Sequence, residues 1–352
     1  MDHLVSVMDL GLFEIRDADL AAIELLKDFI PEKVFDAHAH LYVADTVPRV
    51  AGTPAFPQVF STPEDYVNHM KPFLPNAKQI GANFFTMPDP AMVDRAVLRR
   101  ANDHVFDTVR GKSFHTASPY VTMTDTEETI GALVSRPGAV AIKCYCYGAD
   151  VPKHGDLSIG EFLPEAAWAV SQQTGKPIIL HMQKSRALSD PDNLSYIRTM
   201  CRRYPDAKLI LAHCARGFAA WTAVDSIRKL AGLDNVWYDF AAVCEAAPMA
   251  ACIRATGGKR VLWGSDYPIC MHRGRVISWG MGYLWLIDEM VEEENACVLA
   301  AENLLATRLA CSLLDLDATQ VQDIFYNNAA ELFHLAPQHG IMAQRSESVC
   351  VM

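Results

Sequence analysis

The chain has 352 residues, of which 51% are hydrophobic and 21% are charged, a composition typical of a folded enzyme and not of a disordered protein. It carries 31 Lys and Arg against 42 Asp and Glu, a net charge of −11, and no run of five basic residues. This charge pattern disfavours binding to nucleic acid through its phosphates. The acidic N-terminal sequence and the lack of any apolar stretch of about 18 residues predict a cytoplasmic protein without a membrane partner.

Eight short apolar runs, rich in branched and aromatic residues, recur at an average step of about 33 residues, the length of one strand–helix–loop unit. Helical patterns lie between them, for example at Leu163–Thr174, Asn193–Tyr204 and Ala219–Ala231. The alternation predicts an α/β fold, a (β/α)8 TIM barrel of parallel strands. The predicted strands are Lys33–Ala39, Gln79–Met87, Phe114–Val121, Ala139–Tyr145, Pro177–Met182, Lys208–Ala212, Asn235–Phe240 and Arg260–Trp263.

Segments before, within and after the barrel depart from this rhythm. The predicted organisation is an N-terminal helical extension over 1–32, a single barrel domain over 33–340 and a tail over 341–352. The extension holds a helix predicted at Ala18–Phe29, which ends before Pro31. The proline-rich residues 42–75 are expected to form a lid-like loop without a strand. The predicted C-terminal helices are Val276–Val291, Asn295–Leu314 and Thr319–Leu335.

Reactive side chains follow five of the eight predicted strands, at the ends where barrels of this kind carry their chemistry. His38 and His40 are two apart on a strand, so both imidazoles point to one face and can share a metal ion. A single histidine at a strand end is more often a hydrogen-bonded core residue. Four imidazoles at one closed mouth would each need such a partner, which favours a metal site. The side chains in question are His38, His40, Lys143, His181, His213 and Asp266.

The order and spacing of these residues resemble the amidohydrolase superfamily, in particular its amidohydrolase-related (amidohydrolase 2) branch of metal-dependent TIM-barrel enzymes. The likeness extends from about residue 33 to 335. It is carried by Asp36-Ala-His38-Ala-His40, Ile142-Lys143, Ile-Leu-His181, Leu-Ala-His213, Leu-Trp-Gly-Ser-Asp266-Tyr-Pro and the stretch from Asp323 to Phe333.

The resemblance implies a divalent metal, usually zinc, held by His38, His40, His181 and Asp266, with a bound water as the nucleophile. Asp266 and His213 are then the catalytic residues. Asp266 would accept the proton of the water and pass it to the leaving group, and His213 would hydrogen-bond the water or the developing oxyanion. In binuclear members of the superfamily a carboxylated lysine, here Lys143, bridges two metals. We favour one metal per chain, with two as the alternative.

Cations near the predicted mouth favour a small carboxylated or otherwise anionic substrate. The predicted substrate-binding residues are Arg216, Tyr145 and Arg273, although both arginines could instead pair with loop acids such as Asp89 or Glu245.

The predicted function is hydrolysis of an amide, lactone or related carbonyl centre. Non-oxidative decarboxylation of an aromatic or muconate-type acid, which the resemblance also implies, is the alternative. The intact His38 and His40 pair favours hydrolysis, because some decarboxylases of the branch replace the first histidine by Glu. A non-catalytic barrel is disfavoured because none of the expected ligands is missing. By analogy with similar barrels, a homo-oligomer stays open.

Overall fold

The computed structural model describes residues 14–49, 62–148, 156–291 and 295–335. Eight parallel strands alternate with helices along the chain, and each strand overlaps one of the eight predicted apolar runs. The strands are β1 Lys33–Leu41, β2 Gln79–Thr86, β3 His115–Ala117, β4 Ile142–Cys144, β5 Ile178–Leu180, β6 Leu209–Leu211, β7 Val236–Asp239 and β8 Val261–Leu262.

The eight strands close into a barrel, which confirms the predicted fold. β1, β2 and β3 pair in that order, and β4 to β8 pair in chain order, all parallel. A parallel bridge between Ala117 and Ala139 joins the two ladders. The chain beyond β8 returns to β1, where the Asp266 amide donates to the His38 carbonyl at 2.8 Å. Closure therefore brings the carboxyl ends of the first and last strands together.

Helices follow most of the strands. Helices α5, α6 and α7 correspond to the predicted helices between the fourth and seventh strands. The helices are α1 Asp17–Leu26, α2 Pro63–Met70, α3 Arg95–Val109, α4 Glu127–Val134, α5 Glu165–Thr174, α6 Pro191–Arg203, α7 Ala220–Ile227, α8 Ala246–Thr256, α9 Leu299–Leu313, α10 Ala318–Gln322 and α11 Asn328–Leu332. Among the described helices, none is both long and apolar enough to cross a membrane.

The inside of the barrel is a packed apolar core. Phe35, Ile179, Ile210 and Leu262, from four different strands, are buried in one cluster with Phe333, which follows α11. Burying each such side chain contributes about 1.5–3 kcal/mol, so the interior supports the barrel and leaves no pore through it. The cysteines of the described part of the chain are free thiols.

One predicted helix is wrong. Residues Val276–Val291 contain an antiparallel hairpin of β9 Gly274–Trp279 and β10 Gly282–Ile287. Gly280, with φ +56°, begins the two-residue turn, a position that a residue with a side chain fills less easily. The β-branched and aromatic residues on both sides of the turn favour strands over a helix.

The lid-like loop predicted over 42–75 contains a helix, α2, which the sequence analysis missed. Thr62 caps it by accepting from the Asp65 amide at 3.2 Å, and Pro63 occupies its first turn. Residues 50–61 of this segment and the predicted tail, 341–352, lie outside the described residues. The division into extension, barrel and tail stays a prediction.

The helix of the N-terminal extension is fixed to the barrel through Asp19, which is fully buried. Its carboxylate accepts from the guanidinium of Arg273 at 2.9 Å, from the Val298 amide at 3.0 Å and from the Arg16 amide at 2.9 Å. One buried carboxylate therefore joins α1 to the start of β9 and to the segment before α9.

We expect Asp19→Asn to lower the free energy of unfolding by about 3 kcal/mol or more, because it leaves the guanidinium of Arg273 buried beside a neutral amide. Urea unfolding followed by circular dichroism measures the change. Asp17→Asn, at an exposed position of the same helix, is the matched control. Equal stability of the two variants would contradict this account of the anchor.

Candidate active site

A cavity of about 250 Å³ lies at the carboxyl ends of the barrel strands. The six reactive side chains singled out from the sequence all line it, together with aromatic and apolar residues. The complete lining among the described residues is His38, His40, Met87, Pro88, Lys143, Tyr145, Tyr147, His181, His213, Asp266, Ile269 and Trp285. A larger cavity of about 350 Å³ at the opposite end of the barrel contains none of the six.

Two histidines of β1 present the same ring nitrogen to the cavity. His38 Nδ1 lies 2.9 Å from a carboxylate oxygen of Asp239, and His40 Nδ1 lies 3.1 Å from the Thr86 carbonyl oxygen. Because a carbonyl oxygen can only accept, Nδ1 of His40 carries the proton, and Nδ1 of His38 is bonded to Asp239, whose pKa is raised by burial. Nε2 of each ring is then directed into the cavity, the orientation that a metal-ligating histidine needs.

Asp266 completes a group of three donor side chains. One of its oxygens lies 3.2 Å from His40 Nε2 and 3.4 Å from His38 Nε2. The donor atoms of these three residues lie within 4.8 Å of one another. Burial by itself would raise the pKa of Asp266, but His213, His40 and His38 together lower it below its usual range, so the carboxylate is ionised at neutral pH. The group suits a divalent cation.

His213 is fixed from two sides, like His38. Its amide donates to Asp239 at 2.8 Å, and its Nδ1 lies 2.8 Å from the Ala241 carbonyl oxygen. Its Nε2 faces Nδ1 of His181 at 3.0 Å. The structure therefore brings His181 to His213 and does not include it in the group of His38, His40 and Asp266.

Burial lowers the pKa values of His38, His40 and His181. Further positive charge at Lys143 adds to this effect at His38 and His40, and His213 adds to it at His181. These imidazoles are consequently neutral at physiological pH, the form in which histidine binds metals.

Lys143 ends β4 inside the cavity and is buried. Its Nζ lies 3.2 Å from His38 Nε2 and 4.4 Å from the centre of the Phe85 ring. Burial lowers the pKa of Lys143 to about 8, against the opposing influence of Asp239 and Asp266. This environment differs from that of a solvated lysine at the barrel rim.

Beneath the histidines, the carboxylate of Asp36 joins three parts of the chain. It accepts from the amides of His38 at 2.9 Å and Ser265 at 3.0 Å, and from the Tyr66 hydroxyl at 3.0 Å. Burial raises the pKa of Asp36 to about 7. Through Tyr66, helix α2 is attached to the floor of the site.

The backbone after β6 makes a left-handed turn at four consecutive residues with side chains. His213, Cys214, Ala215 and Arg216 have φ values of 58°, 52°, 61° and 56°. Such a conformation costs about 1–2 kcal/mol per residue, so it requires compensating contacts. Backbone strain of this kind is concentrated at functional sites.

Of the predicted substrate-binding residues, Tyr145 lines the cavity, and its ring lies 4.4 Å from that of His181. Arg216 does not line it. Its guanidinium donates to the Lys184 carbonyl and to the Tyr283 hydroxyl, both at 2.7 Å. Arg273 bonds Asp19 at the other end of β9 from the hairpin turn, so we no longer include it among the substrate-binding residues.

Both loop acids considered in the sequence analysis have other bonding partners. Glu245 accepts from Ser278, and Asp89 accepts from the amides of Arg49 and Ala91. Among the described residues, Lys143 is the only Lys or Arg that lines the cavity.

The sequence analysis missed two residues that shape the site. Asp239 holds both His38 and His213, and its position at the end of the seventh predicted strand was an available signal. Trp285 lies in the cavity wall but belongs to the hairpin predicted as a helix. That error concealed it.

Comparisons with known proteins agree with this architecture. A family model described as Amidohydrolase matches residues 35–335. No curated protein matches the chain. An amidohydrolase from Burkholderia multivorans, solved with bound HEPES, is 14% identical with a TM-score of 0.58, over 86% of this chain and 99% of that one. The same protein was also solved with bound zinc.

Two decarboxylases have similar structures. The 5-carboxyvanillate decarboxylase of Sphingomonas paucimobilis is 13% identical with a TM-score of 0.57, over 87% of this chain and 100% of that one. The 2,6-dihydroxybenzoate decarboxylase of Rhizobium is 13% identical with a TM-score of 0.58, over 87% of this chain and 99% of that one. At these identities the likeness shows a shared fold.

We expect Asp239→Asn to weaken zinc binding by about 10- to 100-fold, because His38 loses the carboxylate that fixes its ring and its Nδ1 proton. Competition with a chromogenic chelator measures the affinity. Asp225→Asn, at a surface position, serves as the control. Unchanged zinc affinity in Asp239→Asn would show that this contact does not orient a ligand.

Proposed function

This chain belongs to the amidohydrolase family, and from that premise we propose that it is a metal-dependent hydrolase of an amide, lactone or related carbonyl centre in a small molecule. The observation that carries the proposal is the group of His38, His40 and Asp266. Nδ1 of each histidine is bonded to a fixed acceptor, and Nε2 is directed into the cavity. The possible ligand atoms of the three residues lie within 4.8 Å of one another.

The donor set fits a divalent metal. His38, His40 and Asp266 would hold it, and His181 is the proposed fourth ligand. Two or three imidazoles with one carboxylate suit zinc, our proposed metal. When bound, such an ion polarises a carbonyl group and makes a neighbouring water more acidic.

Proton transfer is assigned to Asp266. Its carboxylate is ionised, and one oxygen lies at the centre of the site, so it can take a proton from an attacking water at Oδ1 or Oδ2 and return it to the leaving group. His213 is held by Asp239 and Ala241, with Nε2 facing the cavity. We assign to it the orientation of the water or the carbonyl oxygen of the substrate.

Lys143 competes for a ligand atom, because its Nζ donates to His38 Nε2 at 3.2 Å. An ammonium group and a metal ion at the same nitrogen would repel each other. Lys143 would therefore have to lose this contact, its proton, or both for His38 Nε2 to hold a metal. The binuclear alternative, with a carboxylated Lys143, would convert the repulsion into a ligand bond.

The substrate we propose is small, carboxylated and flat. Tyr145, Tyr147 and Trp285 supply aromatic walls to a cavity of about 250 Å³. Lys143 is the one Lys or Arg among the described lining residues, and Arg216 lies outside the lining, where its guanidinium bonds the Tyr283 hydroxyl. A single carboxylate is consequently a better fit than a polyanion.

Decarboxylation of an aromatic acid is the second candidate. It is favoured by the aromatic walls and by the activities of two proteins of similar structure, 5-carboxyvanillate decarboxylase and 2,6-dihydroxybenzoate decarboxylase. A panel of aromatic carboxylates and carboxylated lactones distinguishes the two reactions. Release of CO₂ without uptake of water would show that the reaction is decarboxylation and not hydrolysis.

Removing His40 should abolish both metal binding and turnover. We expect His40→Ala to lower kcat/KM on an active panel compound by more than about 100-fold, and to lower the zinc content measured by plasma emission spectroscopy. His334→Ala, exposed beyond α11, should leave both unchanged. Full activity in His40→Ala would refute a metal-dependent reaction.

The number of metals per chain tests the role of Lys143. We expect one zinc per chain in the wild type, and the same number in Lys143→Met, because a mononuclear site needs no bridging lysine. Two metals per wild-type chain, falling in Lys143→Met, would establish the binuclear site instead.

A further inference from the structure

The hairpin of β9 and β10 has an inner face that packs on the barrel. Trp285 lines the cavity, and the Tyr283 hydroxyl accepts from Arg216 at 2.7 Å. Val276, which pairs with Trp285, is buried. Because side chains alternate along a strand, the residues next to these three on β9 and β10 face away from the barrel.

That outer face is mostly apolar and partly exposed. It carries Ile277 and Trp279 from β9, and Leu284 and Leu286 from β10. Trp279 is 65% exposed, and Met281 at the turn is 76% exposed. Trp221 of α7, itself 54% exposed, extends the surface, since its Nε1 donates to the carbonyl of Gly280 at 2.6 Å. Apolar patches of this kind mark interaction sites.

The outer edge of β10 is also available. The Asp288 amide donates to the Arg273 carbonyl at 2.7 Å, which makes these two residues a hydrogen-bonded pair. Hydrogen-bonded pairs recur at every second residue of an antiparallel ladder, so the backbone groups of Leu286 and Leu284 also bond to β9. The backbone groups of Tyr283, Trp285 and Ile287 then point away from β9. Among the described residues, no partner strand lies beyond them.

We propose that a second copy of this chain covers the hairpin, with β10 paired antiparallel to its own copy about a twofold axis. Centred on Trp285, this pairing puts Trp285 opposite itself, Leu284 opposite Leu286 and Tyr283 opposite Ile287. Each of the outward residues then exchanges backbone hydrogen bonds with its opposite number. The two outer faces become one continuous apolar surface.

Charge favours a second copy as the occupant. Exposed edge strands usually carry Lys, Pro or a bulge that prevents self-pairing, but residues 282–287 contain no charge and no proline. Two chains of net charge −11 repel over most of their surfaces, whereas the proposed register sets no like charges opposite each other. Arg275, on the same face of β9, already pairs with Glu302 of its own chain. The same patch is thus complementary to itself, as a twofold interface requires.

The test is the mass of the full-length protein in solution. The measurement is light scattering after size exclusion, on protein at about 10–50 μM. We expect the wild type to have twice the mass of one chain. Leu284→Lys should have the chain mass with an unchanged circular dichroism spectrum. Leu313→Lys, at an exposed apolar position of α9, is the control and should keep the wild-type mass.

Hydrogen exchange tests the pairing of β10 itself. The amides of Tyr283, Trp285 and Ile287 should exchange at least about tenfold more slowly in wild type than in Leu284→Lys. A monomeric wild type, or a Leu284→Lys dimer, would overturn the proposal. So would a dimer whose β10 amides exchange as fast as those of the variant.

Discussion

The carboxylate of Asp239 is the group on which the candidate site depends. One of its oxygens holds Nδ1 of His38, and the other accepts from the amides of His213 and Ala241. Because β1, the turn after β6 and β7 all bond to one buried group, His38 cannot rotate without leaving a buried carboxyl oxygen without its partner, at a cost of about 1–3 kcal/mol. That cost fixes the direction of His38 Nε2. A metal site needs ligand atoms held within a fraction of an ångström, and this network provides such a restraint.

The same carboxylate helps to explain how the chain tolerates its left-handed turn. Residues 213–216 would be unfavourable by about 1–2 kcal/mol each without compensation. The His213 amide bonds Asp239, the Gly217 amide returns to the His213 carbonyl at 2.6 Å, and Arg216 bonds the Lys184 carbonyl. These contacts hold a backbone that directs the His213 ring toward His181 instead of along the strand. The left-handed turn and the direction of the His213 ring are thus stabilised by the same contacts.

The strands could be predicted because those of a closed parallel barrel are buried on both faces and appear as continuous apolar runs, such as Pro177–Met182. The meeting of the six reactive side chains follows from the barrel, since all strand ends face one mouth. Partners far apart in sequence could not be predicted. Asp239 is 201 residues from His38, and Asp19 is 254 residues from Arg273. The hairpin failed for another reason, because a short apolar run fits either a helix or a strand, and only the glycines at 280 and 282 argued for the turn.

The hairpin connects the interior of the site with the surface of the molecule. Phe218 stacks on His213 at 5.3 Å between ring centres and packs against Tyr283 at 5.1 Å and Trp285 at 5.4 Å. The inner face of the hairpin therefore reaches the histidine through one side chain. A two-stranded hairpin has little stability of its own, so its position depends on what covers both of its faces. Whatever covers the outer face consequently also holds Trp285 in the cavity wall. The proposed pairing of β10 would therefore couple assembly to the position of Trp285 in the cavity wall, without involving His38, His40 or Asp266.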